Sequence, residues 1–444
     1  MKQILVLGAG LSATCLINYL LKQAEIYDWQ LVLADIDEEL AQKKIKGHPR
    51  AKAVKFDVSD PGTIDGLIDG KDVVVSLLPA RFHDVIAVAC VKKGIQMATA
   101  SYVSPALKAL EPEIKAKNLS FLNELGVDPG IDHMSAMRVI DRIRKKGGQL
   151  KSFYSFTGGL IVPESDNNPW HYKFTWNPRN VVVAGQGVSQ YIKNGRYKYI
   201  PYNQLFKRII EREVLDYGKF EIYPNRDSLK YRKIYQLDDI PTIFRGTMRR
   251  PGYSAAWNVF VQLGCTDDTY TVEESENMTY RAFINTFLKY DPEKPVEEKL
   301  IEYLGLEPDG EIMQKLVWLG IFEDKVIGLK NATPAQILQK LLTEKWVLDP
   351  DDKDMILMQH EFEYEIDGVS HQVVSSMAYI GKSTTETAMA ITVGTPLAIA
   401  IKLLLTDQIK QKGVIIPTKP ELYNPILDEL EEYGIKFIEK ESVV

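Results

Sequence analysis

The chain has 444 residues, with 54 Lys and Arg against 60 Asp and Glu, a formal net charge of -6, and 45% hydrophobic residues. At roughly 150 residues per domain this length suggests two or three domains with ample cores, and a charged fraction of 26% excludes disorder, collagen and coiled coil as global descriptions. The mildly acidic balance argues against nucleic acid as the main partner, and the scattered Cys15, Cys90 and Cys265 carry neither a disulfide framework nor the spacing of a metal site.

The opening run Ile4 to Leu7 is too short for a signal sequence, and the reading is of a mature start in a reducing, cytoplasmic compartment. Apolar runs then alternate with helical periodicity: strands are predicted at 4–7, 31–34, 54–58, 73–77, 96–100 and 119–122, and Ala13, Leu16, Ile17, Leu20 and Leu21 make one apolar helix face between the first two. Such alternation is the mark of a parallel, doubly wound sheet. From Leu150 to about Asp268 aromatic residues and turn signals such as Gly158-Gly159 dominate, which predicts a separate antiparallel or mixed sheet. Glu273 to Leu348 reads as amphipathic helices, and Asp354 to Tyr379 returns to strand. A long helix from about Thr384, a strand near 414–416, a helix from Pro425 to Tyr433 and a strand at 436–439 finish the chain and are expected to rejoin the first sheet. Ala388 to Leu405 is apolar, but Gly394, Pro396 and Lys402 mark it as a buried core helix rather than a membrane span. Gly394 and Pro396 are also where a helix should kink or break, either to bridge two domains or in ordinary packing.

The fold class is therefore α/β, a Rossmann-like doubly wound parallel sheet plus an α+β substrate and dimerisation domain with a helical insertion. The expected boundaries are 1–128 for the dinucleotide-binding domain, 129–272 with 349–383 for the second, 273–348 for the insertion, and 384–444 for a segment returning to the first. Exposed apolar faces on the middle sheet favour a homodimer.

The strongest local signal is Gly8-Ala9-Gly10-Leu11-Ser12-Ala13, a G-x-G-x-x-A turn between a strand and an amphipathic helix. Gly8 permits the tight turn, Gly10 lets the backbone approach a pyrophosphate, Ala13 allows close helix packing, and the helix N-terminus offers unpaired N-H groups to phosphate. Asp35 ends the second strand, roughly 20 residues further on, where a carboxylate accepts from a ribose 2′-OH and repels a 2′-phosphate. NAD is favoured, with NADP possible if Lys43 or Lys44 reaches inward. Asp57 either covers the adenine edge or makes a surface turn. Leu77-Leu78-Pro79 after the fourth strand and Ser101-Tyr102 after the fifth should line the crevice at the carboxyl ends of the strands.

Asn123-Glu124-Leu125-Gly126-Val127-Asp128-Pro129-Gly130-Ile131-Asp132-His133 resembles the signature of the saccharopine dehydrogenase family, in its glutamate-forming branch. Further matches are Gly158-Gly159-Leu160 with Pro163-Glu164, Tyr172-Lys173-Phe174-Thr175-Trp176, Pro224-Asn225-Arg226-Asp227-Ser228, Arg245-Gly246-Thr247 and Thr392-Val393-Gly394 with Pro396. The resemblance implies an enzyme of lysine metabolism that interconverts saccharopine with glutamate and 2-aminoadipate 6-semialdehyde through an imine and a nicotinamide hydride. It implies Asp128 as a catalytic residue and Asp128, Trp176, Arg226, Arg245 and Thr247 as substrate contacts; Ser101 and Tyr102 join the substrate contacts, and Tyr102 the catalytic residues, by their position after the fifth strand. The arginines suit a substrate with three carboxylates, since a guanidinium pairs each one bidentately; Arg249 and Arg250 are weaker candidates. The resemblance implies no metal.

Asp128 also has a structural reading as a helix cap, with Pro129 in the first turn, and His133 reads as a structural histidine. One departure stands out: relatives often carry Cys before the Gly-Gly pair, where this chain has Thr157. A thiol proton carrier is absent there, so either Asp128 and water suffice or the chain reduces a related imine, as polyamine-forming Schiff-base reductases do. A non-catalytic dinucleotide-binding regulator is the remaining alternative.

Overall fold

The computed structural model describes the backbone of residues 1–444 and every side chain apart from that of Pro61. The alternating pattern at the start of the chain produces β1 (Lys2–Leu7), β2 (Trp29–Asp35), β3 (Ala51–Lys55), β4 (Val73–Ser76), β5 (Gln96–Thr99) and β6 (Ser120–Leu122). Leu5, Val6, Val73, Val74 and Val75 are fully buried, as expected of parallel strands covered on both faces. The third strand lies earlier than the predicted 54–58, because its ladder with β2 closes at Asp35 and Lys55. Beyond it Asp57 accepts from the Ser59 N-H (2.9 Å) and hydroxyl (2.6 Å), which makes a turn.

The second part of the chain forms β7 (Gln149–Ile161), β8 (Val188–Lys193), β9 (Arg196–Pro201), β10 (Ile210–Glu213), β11 (Lys219–Pro224), β12 (Thr242–Arg249), β13 (Asp354–Ile366) and β14 (Val369–Ile380). Helices Tyr280–Thr286, Val296–Leu304, Glu311–Leu319 and Pro334–Lys345 occupy the stretch between β12 and β13. The last of them opens with a capping box between Thr333 and Gln336. These helices bury a core built on Trp170, Trp257 and Trp346, with Trp170 edge-on to Trp346 at 5.4 Å and its indole N-H donating to the Lys315 carbonyl at 2.9 Å.

The chain then adds helix Ala388–Leu405, β15 (Gly413–Ile415), helix Pro420–Glu432 and β16 (Ile438–Val443). The first sheet runs β15-β6-β5-β4-β1-β2-β3 with parallel pairing, and the second contains β10-β11-β12-β7-β13-β14-β16, with β8 and β9 attached through β12. The second sheet is mixed, since β7 and β12 are parallel while β11 and β12 are antiparallel.

Two compact units result: Met1–Gln149 with Met377–Ile438, and Leu150–Ser376 with Glu439–Val444. Helix Ile131–Lys145 therefore lies in the first unit, not the second as the predicted boundary at 129 has it. Of the closing strands β15 joins the first sheet through β6, but β16 sits beside β14 in the second. The last helix starts at Pro420, so Pro425 is inside it rather than at its start.

Helix Ala388–Leu405 is a core helix of the first unit, with 83% of its length buried. It runs on through Gly394 and Pro396 without ending, and it packs on helix Ala13–Tyr27. A Cβ at Gly394 would stand 3.0 Å from the Leu16 nitrogen and 3.0 Å from the Ser12 carbonyl oxygen, both backbone atoms. Glycine is therefore there for close approach, the packing alternative, and not as a hinge between domains. Gly to Ala inside a helix ordinarily stabilises by about 1 kcal/mol. At Gly394 overpacking against backbone reverses the sign, and Gly394→Ala is expected to lower unfolding free energy by about 1–2 kcal/mol in urea denaturation.

Candidate functional site

At the carboxyl end of β1 the chain makes the turn that the fingerprint predicts. Gly8 has φ of +103° and its N-H donates to the Ala34 carbonyl at 2.8 Å. A Cβ on it would lie 3.1 Å from the Leu77 carbonyl oxygen, so the first unit itself demands glycine here. Gly10 is different: an added Cβ would meet no described atom within 4 Å, and Gly10 and Leu11 are both exposed. Its bareness leaves open space above the turn, as close approach of a ligand requires. Ser12, the N-cap of helix Ala13–Tyr27, makes no side-chain cap bond among the described residues, and the Ala13 N-H turns back to the Gly10 carbonyl at 3.1 Å, so the helix N-terminus presents its positive end to the open turn, as an anion site requires. These features fit a dinucleotide pyrophosphate.

Asp35 belongs to the same construction. Its carboxylate accepts from the Ala9 N-H at 2.6 Å and the Asp37 N-H at 2.9 Å, tying the end of β2 to the glycine turn. Lys44 is half-buried on the next helix, donates to the Thr14 hydroxyl and feels the Asp35 carboxylate; burial nevertheless holds its ammonium pKa below the usual value. Lys43 is exposed. Asp57 directs one carboxylate oxygen into its own turn, the surface-turn alternative.

The ends of β4, β5 and β6 form the other half of the crevice. Leu77 continues the β1 ladder through its N-H to the Leu7 carbonyl (2.8 Å), and Leu78 and Pro79 lead into the turn before helix His83–Lys93. Tyr102, after β5, donates its phenol O-H to Asp128, after β6, at 3.1 Å. Asp128 is partly accessible in a loop otherwise buried. That loop is closed tightly: Gly126 N-H donates to the Pro129 carbonyl at 2.8 Å, and a Cβ on Gly130 would come 2.0 Å from the Gly126 carbonyl oxygen. The following helix begins at Ile131 with Gly130 as its N-cap, and the Asp132 carboxylate takes the Gly130 N-H at 2.6 Å. The N-cap position itself is thus taken by Gly130, two residues after Asp128. His133, fully buried, meets the Glu124 carboxylate at 2.7 Å, and Glu124 also accepts from the Val103 N-H at 3.1 Å.

In the second unit β12 pairs with β7 so that Arg245 is opposite Ser155 and Thr247 opposite Thr157. Alternation puts Arg245, Thr247 and Arg249 on one face of the strand. The Arg245 guanidinium is buried and lies 4.1 Å from the Tyr231 ring centroid. Arg226 is exposed in the turn after β11, with φ of +48°. Trp176 is half-buried beside Thr175, whose hydroxyl, like that of Thr157, finds no partner among the described residues.

Arg249 shares this face of β12 with Arg245 and is likewise buried. It is 5% exposed, lies over the rings of Tyr172 (4.8 Å) and Tyr253 (5.3 Å), and its Nε has no partner among the described residues. Burial alone would lower its pKa, but the surrounding tyrosines Tyr223, Tyr172 and Tyr253 raise it and keep it cationic. His83 was missed altogether; a lone histidine at the start of a helix carries no motif, and its partners Ser76 and Ser101 come from the ends of two different strands.

A parallel sheet with β1 and β4 at its centre, an open glycine turn there and an acid-bearing crevice beside it together define an NAD(P)-dependent oxidoreductase. Comparison with known proteins gives its family. The saccharopine dehydrogenase NADP binding domain matches residues 4–122 and the saccharopine dehydrogenase C-terminal domain matches 126–435, so the chain belongs to the saccharopine dehydrogenase family, whose oxidoreductases act on CH-NH groups. It is 33% identical over 448 residues to the NADP(+), L-glutamate-forming saccharopine dehydrogenase of Saccharomyces cerevisiae, covering 99% of each chain. It is also 33% identical to the mitochondrial alpha-aminoadipic semialdehyde synthase of Mus musculus, of which it spans 47%. The apo saccharopine dehydrogenase (L-Glu forming) structure from S. cerevisiae superposes with a TM-score of 0.88 over 100% of both chains at 32% identity. The homospermidine synthase of Legionella pneumophila, at 9% identity and a TM-score of 0.55, shares the fold.

The two glycines separate folding from binding. Gly8→Ala is expected to lose about 1–3 kcal/mol of stability because φ is positive and Leu77 is in the way. Gly10→Ala should leave unfolding within about 0.5 kcal/mol yet weaken dinucleotide binding by roughly tenfold or more, as read by calorimetric titration and denaturation of the same samples.

Proposed function

We propose that this chain is a glutamate-forming saccharopine dehydrogenase that oxidises saccharopine, or forms it in reverse, in lysine metabolism. The observation that carries the reading is the Tyr102 to Asp128 hydrogen bond at the carboxyl ends of β5 and β6, within a chain that aligns end to end with glutamate-forming relatives. In the oxidative direction NAD(P), which the Gly8 to Ala13 turn would hold, would supply the acceptor for the hydride that leaves the carbon beside the substrate nitrogen. Water then adds to the resulting imine carbon, the C-N bond breaks, and glutamate leaves as the amine with 2-aminoadipate 6-semialdehyde as the aldehyde. Asp128 accepts and returns the protons of these steps, and the Tyr102 phenol orients its carboxylate. With Thr157 where relatives often carry Cys, no thiol takes part at that position.

The remaining assignments follow the chemistry of three carboxylates. Arg245 and Arg226 pair with substrate carboxylates, Thr247, Ser101 and Trp176 complete the contacts, and the fingerprint residues Gly8 to Ala13 with Leu77, Leu78 and Pro79 hold the cofactor. NAD is preferred over NADP, because Asp35, Asp37, Glu38 and Glu39 crowd the end of β2 with negative charge that repels a 2′-phosphate. A homodimer is supported by the exposed Val188, Tyr197 and Tyr199 on the β8–β9 hairpin. The free thiols of Cys15, Cys90 and Cys265 suit a reducing, cytoplasmic setting.

A spectrophotometric assay of nicotinamide reduction tests the reading. Saccharopine should support turnover and carboxynorspermidine should not; the opposite result moves the chain to polyamine synthesis. NAD should be used at least tenfold better than NADP, about 1.4 kcal/mol. Asp35→Ala should weaken both cofactors, through the lost Ala9 contact, but shrink the NAD to NADP ratio. Arg245→Met should lower kcat/KM for saccharopine by about 2–4 kcal/mol while leaving cofactor affinity nearly unchanged. Asp128→Asn keeps the side-chain size, so stability should change by less than about 1 kcal/mol, while turnover should fall about 100-fold or more and one ionisation should vanish from the pH-rate profile.

A further inference from the structure

Ser76, the last residue of β4, is completely buried, and its hydroxyl has one partner among the described residues, His83 Nδ1 at 2.8 Å. Across the imidazole, Nε2 lies 2.7 Å from the hydroxyl of Ser101, just past the end of β5. The Ser101 backbone is held on both sides, its N-H donating to the Thr99 hydroxyl at 3.2 Å and its carbonyl accepting from the Glu124 N-H at 3.1 Å. Burial pushes the His83 pKa down to about 4 despite the nearby Asp84 carboxylate, so the ring is neutral and carries a single N-H.

Only two arrangements join these three groups. With the hydrogen on Nδ1, the ring donates to Ser76, and the Ser76 O-H is left pointing into the interior with no described acceptor. An unmet buried donor is the unfavourable choice. With the hydrogen on Nε2, Ser76 donates to the bare Nδ1 and Nε2-H donates to Ser101. Every buried hydrogen then has an acceptor, and the hydrogen on the partly accessible Ser101 hydroxyl is the one left over.

We propose that His83 is a positioning residue that makes Ser101 a hydrogen-bond donor into the crevice, aimed at an acceptor oxygen of the substrate, of the carboxylate class. The proposal deepens the reading of this crevice as the amino-acid site and rests on it. Ser76, fully buried, thus sets the polarity of a residue just past the end of the neighbouring strand through one neutral imidazole.

Two measurements test it. Two-bond proton-nitrogen NMR of the whole protein, with His83 assigned by the signal that disappears in His83→Gln, should show the Nε2-H tautomer at neutral pH; an Nδ1-H tautomer or an imidazolium overturns the proposal. This readout does not depend on turnover, so it decides the polarity of Ser101 even if saccharopine proves not to be the substrate. In kinetics, His83→Leu should raise KM for saccharopine about tenfold with cofactor affinity unchanged, whereas His83→Gln, which can accept at one end and donate at the other, should restore most of it. In a Ser101→Ala background His83→Leu should add less than about twofold. A full effect persisting without the Ser101 hydroxyl overturns the proposal, as does equal damage from Leu and Gln.

Discussion

The architecture of the first unit depends on a backbone turn that must be rigid while staying open above Gly10. Gly8 is fixed by the Ala34 carbonyl and by Leu77, and Ala9 is fastened by the Asp35 carboxylate. From the other side, helix Ala388–Leu405 presses Gly394 against Ser12 and Leu16, the first turn of the helix that the glycine turn launches. A segment almost 400 residues away in the chain thus sets the position of the phosphate cradle. The return of the C-terminal segment to this unit is part of the binding site's construction.

A second consequence concerns how the crevice is organised. Its polar groups come in short hydrogen-bonded chains, Ser76 with His83 and Ser101, Tyr102 with Asp128, and Val103 with Glu124 and His133. Each chain ties the ends of neighbouring parallel strands together by side chains where the ladder has stopped. Satisfied networks of this kind are rigid and hold a single geometry. The second unit offers a different solution on the face of β12, where arginines are set against tyrosine rings, Arg245 on Tyr231 and Arg249 on Tyr172 and Tyr253. A tyrosine face stabilises a buried guanidinium through its ring quadrupole.

Much of this was legible in the residues. The strand and helix alternation, the glycine turn, the acid at the end of β2 and the family signature around Asp128 all follow from local patterns with a period or a fixed spacing. What escaped was decided by long-range packing. Val54-Lys55-Phe56-Asp57-Val58 alternates like a strand, but the ladder on β2 ends at Lys55 and the Asp57 turn wins. Pro425 looked like a helix start, yet Pro420 occupies that position and the helix continues through the second proline. Gly394 and Pro396 looked like breakers, because nothing local reveals a neighbouring helix that needs a missing Cβ. The final strand joined the other sheet, since its alternation names no partner edge. His83 had no signal at all: its function resides in two hydroxyls brought to it by different strands.

The measurement that bears most directly on the account is product analysis of the oxidative reaction. The protein would be incubated with saccharopine and NAD or NADP, and the products quantified by mass spectrometry against the nicotinamide reduced. The account predicts one glutamate and one 2-aminoadipate 6-semialdehyde for each reduced nicotinamide. Lysine with 2-oxoglutarate, or no consumption of saccharopine with either cofactor, would contradict it.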